Sequence, residues 1–145
     1  MGVQQLYMPQ IVAYREKWIE THSDIITAEN IPLFLPSAVS HNVSCSKKTQ
    51  EYEYRLREAQ AHDALKSLRH HLCVRTHLWK YKDRFITGQR QNTRARSTIG
   101  SIETRIQSDA ARYRAAFSAL AVLGPLLGHN NHSELKILKI GRAHV

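Results

Sequence analysis

From Lys47 to Phe85 the chain has no glycine and no proline, and apolar residues return every seven positions. Tyr54, Ala61 and Leu68 hold one register; Leu65, Leu72 and Trp79 hold its companion. Such spacing lays an apolar stripe along a helix, and a stripe of this kind must be covered by a second surface. A covering surface follows in the same chain. Ile99, Ile106, Tyr113 and Leu120 share one heptad position, and Ala95, Ile102 and Ala116 share another. Gly88 separates the two stretches, Asn92 suits the N-cap of the second, and Gly124-Pro125 suits its end. Gly100 lies inside the second stretch and weakens its first turns. Two striped helices with a short link between them fold back as an antiparallel pair. Asp109 falls on the second stripe, either at an edge open to water or in a buried polar contact.

Upstream, Tyr7, Ile11, Tyr14 and Trp18 alternate at four- and three-residue steps, which predicts a helix over about Pro9 to His22. Pro9 fits the first turn, where its missing N–H costs nothing. Between Ser23 and Ser44 the periodicity breaks. Pro32 and Pro36 bracket Leu33-Phe34-Leu35, read as an extended segment packed on a neighbouring helix. The expected fold is therefore all-α: a long, coiled-coil-like antiparallel hairpin, an N-terminal helix and an irregular Pro-containing segment. Residues 1–125 form the helical region and 126–145 an irregular tail. Ile140 to Val145 reads as the translation of ATC-GGA-AGA-GCA-CAC-GTC, a sequencing-adapter string, and is set apart from the fold.

With 145 residues there is room for one small domain, and a net charge of +9 favours acidic partners such as nucleic acid. The start, MGVQQLYMPQ, lacks a basic stretch followed by an apolar one, and no apolar run approaches a membrane span. An intracellular chain, not secreted and with no membrane partner, is expected. Cys45 and Cys73 are too few for a disulfide framework and are read as reduced thiols.

The charge is uneven. Arg75, Lys80, Lys82, Arg84, Arg90, Arg94 and Arg96 face a single acid, Asp83, with Trp79, Tyr81 and Phe85 interleaved. Lysine and arginine meet phosphates, and aromatic faces either stack on unpaired bases or pack internally. Arg84, Arg90, Arg94 and Arg96 are the candidate nucleic-acid contacts, in a loop at the hairpin tip; Trp79 is assigned to helix packing. The opposing reading is a solvated charged face. His62, His70, His71 and His77 do not form a metal set, because His70 and His77 are too far apart along a helix and no ligand completes them. Glu51, Glu53, Glu58 and Asp63 read as surface ion-pair partners, Glu51 with Arg55 and Glu53 with Arg57. Phosphate-loop, dinucleotide and serine-hydrolase motifs are absent. No catalytic residue, metal or cofactor is expected.

A series of short segments carries a resemblance. It runs through Leu6-Tyr7-Met8-Pro9, Ile31-Pro32-Leu33-Phe34-Leu35-Pro36-Ser37, Tyr54-Arg55-Leu56-Arg57-Glu58-Ala59-Gln60-Ala61-His62-Asp63-Ala64-Leu65 and Leu78-Trp79-Lys80-Tyr81-Lys82-Asp83. It continues with Gly88-Gln89-Arg90, Asn92-Thr93-Arg94-Ala95-Arg96 and Arg112-Tyr113-Arg114-Ala115-Ala116. In order and spacing these resemble the C-terminal, post-catalytic helical region of KDZ-type (Kyakuja–Dileera–Zisupton) transposases of the fungal, cysteine-cluster-associated group, from about Leu6 to Pro125. The resemblance implies a non-catalytic arm of a nuclear protein that contacts DNA, the parent's catalytic domain or another copy. The family's RNase H-like domain holds divalent metal on converging acids; none of that domain is in this sequence, so no catalytic role carries over. The alternative is a coiled-coil interaction or oligomerisation module with no nucleic-acid role.

Overall fold

The computed structural model describes residues 9–129 and 135–138, which divide into two compact units. One holds residues 9–56 and 119–129, the other residues 57–118 and 135–138. The elements run α1 (Pro9–His22), a 3-10 turn (Ala28–Asn30), α2 (Pro36–Val39), α3 (Lys47–Phe85) and α4 (Gln89–Leu127), and no strand occurs among the described residues. Tyr7 and the adapter-like Ile140 to Val145 lie outside the described residues.

In the first unit, α1 buries Ile11 and Val12, while Tyr14 and Trp18 meet Phe34 edge-on at ring distances of 5.9 and 5.7 Å. Phe34 and Val39 complete this cluster. Of the apolar trio expected to pack, Phe34 is buried and Leu33 is 79% exposed. Successive side chains of an extended segment point to opposite sides, so neighbours cannot both face inward. Glu53, expected on the surface, is buried: Ser37 donates its backbone N–H (2.8 Å) and hydroxyl (2.6 Å) to the carboxylate. The carboxylate thereby satisfies a free N–H in the first turn of α2. Glu51 does pair with Arg55, at 3.2 Å, and also reaches His129 at 3.0 Å. The His129 contact is the main reason its carboxyl titrates below the usual glutamate range.

The span of α3 is the expected one, while both ends of α4 differ from expectation. Ser46 caps the start of α3, its Oγ accepting the Thr49 N–H at 3.3 Å. Asn92 is no cap; α4 begins three residues earlier, and the Asn92 N–H bonds the Gly88 carbonyl at 3.1 Å. Nor does Gly124-Pro125 stop α4. The helix carries Pro125 in its last turn and ends at Gly128, whose φ is 72°. His129 N–H bonds Gly124 O at 3.0 Å and Gly128 N–H bonds Pro125 O at 3.4 Å, which is the Schellman arrangement. This glycine, and not the proline, supplies the left-handed residue that turns the chain away from the helix axis.

The second unit holds α3 from residue 57 and α4 up to residue 118, an antiparallel hairpin joined by Ile86, Thr87 and Gly88. Its seam is lined by Ala61, Ala64 and Leu68 on one side and Ile99, Ile106, Ala110, Tyr113 and Ala116 on the other, all buried. Tyr54 and Leu120 are buried too, within the first unit. Leu65, Leu72 and Trp79 are only half-buried, as are Ala95 and Ile102. Beside Leu65, Ala64 is fully buried, and His71, half-buried like Leu72, reaches across the seam. Small side chains let two helix axes approach closely, and bulkier neighbours then flank the contact.

His71 brings a charge cluster into that seam. Asp109, 4% exposed, lies 2.6 Å from His71 Nδ1 and accepts the Ser67 hydroxyl at 3.0 Å, with Arg112 at 3.7 Å. The buried polar contact, not the wet edge, is what this position makes. Arg75 spans the same pair of helices to Glu103 at 2.9 Å. At the far end of α4 in this unit, the Tyr113 hydroxyl donates to the Lys136 carbonyl at 2.6 Å, and burial raises its pKa.

Two glycines make opposite predictions. Gly88 has φ 91° and Gly100 is an exposed helical residue, with open space around either Cβ position. Gly100→Ala should stabilise the fold by about 0.5–1 kcal/mol and Gly88→Ala should destabilise it by about 1 kcal/mol, measured by urea denaturation. His71→Ala should cost about 1–3 kcal/mol by depriving Asp109 of its nearest donor, and replacing His71 and Asp109 together by Leu should recover most of that loss.

Candidate nucleic-acid interface

The tip of the hairpin is built by the last two turns of α3 and the first two of α4. Because the link is only three residues, the candidate arginines are not in a loop. Arg84 is in the last turn of α3, and Arg90, Arg94 and Arg96 are helical. All four are exposed, and among the described residues no carboxylate pairs with any of them. Arg55, Arg75 and Arg112 each have an acidic partner. Arg75 therefore leaves the basic segment. Lys82 sits over the Trp79 ring at 4.8 Å, so that half-buried indole serves packing and a cation contact, in keeping with its place in the helix register.

Two hollows flank the start of α4. An apolar one of about 370 Å³ lies between the helices, with Tyr81, Phe85 and Ile86 on one wall and Arg94, Ala95 and Ile99 on the other. A polar one is lined by Gln89, Arg90, Asn92, Thr93 and Arg96. No acid lines either. Tyr81 (57% exposed) and Phe85 (65%) stand with ring centres 5.1 Å apart, one helical turn from each other. Sequence reasoning noted these rings but kept only the arginines; the four-residue spacing next to a helix end was the available signal.

The electrostatics of this tip are mixed. Lys82 and Arg84 end α3, where basic charge complements the helix dipole. Arg90 opens α4, whose first turn holds no acid, and there positive charge opposes the dipole. Cys73 is exposed on the outside of α3, and Cys45 is half-buried in the first unit, where desolvation pushes its thiol pKa up. Among the described residues no group of His, Cys, Asp and Glu could hold a metal ion, and no helix is long and apolar enough to cross a membrane.

Comparison with known proteins finds no matching family model, no matching curated protein and no matching solved structure.

The misplaced charge at the start of α4 makes a prediction of its own. Arg90→Glu should stabilise the free protein by about 0.3–1 kcal/mol at low ionic strength, less in high salt, by urea denaturation. A loss of stability would mean that Arg90 has a structural role.

Proposed function

We propose that this chain is a non-catalytic helical arm that contacts DNA through the tip of its hairpin, and that it is the post-catalytic arm of a KDZ-type transposase. The observation that carries the DNA reading is the unpaired cluster Arg84, Arg90, Arg94 and Arg96, gathered from two helices around one short turn. Unpaired guanidinium groups are drawn to phosphates, and release of condensed counterions drives the association. Placing Arg90 against the helix dipole costs the free protein stability, a cost that a bound phosphate would reverse. The family assignment rests on the resemblance of the segments between Leu6 and Pro125, and on nothing else. The parent's active site would lie in its RNase H-like domain, with this arm holding DNA beside it in the nucleus.

Titration of the full chain with labelled DNA at rising salt tests the interface. Binding should be weak, nearly independent of sequence and lost as salt rises. Replacing the four arginines by Ser should weaken it, and should flatten the slope of log K against log salt by roughly 0.9 for each phosphate contact removed. Equal affinity of parent and variant at low salt would favour the interaction-module reading. The genomic DNA upstream of the Met1 codon tests the family assignment: an open frame encoding an RNase H-like domain supports it, and a different domain overturns it.

A further inference from the structure

We propose that the hairpin tip is a stacking site for unpaired nucleobases, so that the DNA it selects is single-stranded. The inference rests on the reading of the tip as a DNA-contacting surface and adds which form of DNA it takes. Phosphate attraction alone accounts for the arginines but leaves the aromatic rings unexplained. Tyr81 and Phe85 occupy the last two turns of α3, are more than half exposed, and lie with ring centres 5.1 Å apart. They do not hold the seam, which runs through other positions of α3. Large apolar rings left facing water cost free energy, and stacking on a base would recover it.

The rings and charges are arranged together. Tyr81 and Phe85 form one wall of the apolar hollow, and Arg94 stands on the opposite wall. A base entering this hollow meets ring faces on one side and a guanidinium on the other, both of which accept any of the four bases. The polar hollow carries Arg90 and Arg96 on the same first turns of α4, within reach of the phosphates of adjoining nucleotides. Charge complementarity narrows the occupant: both hollows are lined by arginine and neither by an acid, which favours an anionic ligand and disfavours a basic peptide. In duplex DNA the base faces are already stacked on their neighbours and cannot reach side chains. A single strand presents face and phosphate at once.

Fluorescence anisotropy of the full chain at low salt decides this with four probes: a twelve-residue oligo-dT, a duplex and an abasic strand of equal length, and oligo-U. The expected result is at least about tenfold tighter binding of oligo-dT than of duplex or abasic strand. The double variant Tyr81→Ala, Phe85→Ala should lose that preference while keeping weak, salt-sensitive binding to all strands. Tyr81→Phe with Phe85→Tyr should retain it. Circular dichroism confirms that each variant stays helical. Equal binding of oligo-dT and the abasic strand, or an unchanged preference in the Ala variant, would overturn the stacking site and leave the arginine interface standing. A tenfold preference for oligo-U over oligo-dT would overturn the assignment to DNA. Absence of binding to every probe would remove the interface itself.

Discussion

Asp109 is buried between two helices, and a buried carboxylate must find donors or the seam cannot close. It finds them across the hairpin, in His71 at 2.6 Å and Ser67 at 3.0 Å. An apolar seam tolerates sliding by a heptad with modest loss; a charge that is satisfied at one position does not. Arg75 to Glu103 repeats the constraint one to two turns nearer the tip. Both cross-links fall about symmetrically around Gly88, so the pairing and the three-residue turn demand the same register.

Everything at the tip follows from that register. With α3 and α4 held in step, the final turns of one lie beside the first turns of the other, and residues near 81–85 meet residues near 94–99. The apolar hollow lies where the large seam residues give way to the small Ala95, between Ile99 and the turn. Ala95 occupies the α4 side and contributes little volume, while Tyr81 and Phe85 stay outside. A slip by one heptad would take Arg94 away from those rings.

The tip is also where the protein gives up stability. Four exposed arginines repel one another, and one of them opposes the dipole of the helix it begins. Farther from the tip the hairpin joins His71 to Asp109 and Arg75 to Glu103 across its seam and buries its apolar side chains. Local rules broken at one place and kept elsewhere mark a surface under a different demand. Sites that bind are commonly less stable than the scaffold that carries them.

The helices of this protein were legible in the sequence, and so was their pairing. The spans of α1 and α3 follow from periodicity and from the absence of glycine and proline, because those are local properties of a chain segment. The buried stripe of α4, Ile99, Ile106, Tyr113 and Leu120, follows for the same reason. What a sequence holds poorly is anything set by a partner surface. Ala64 is buried beside the half-buried Leu65, and His71 reaches Asp109 from beside Leu72, since inter-helix distance decides which neighbours come closest. Pro125 stays within α4 because a proline in the last turn interrupts little that remains, and Gly128 provides the turn. Glu53 and Asp109 look alike as acids on helices. Only the folded chain brings Ser37 to one and His71 to the other, and only contacts between segments distant in sequence make a buried charge affordable.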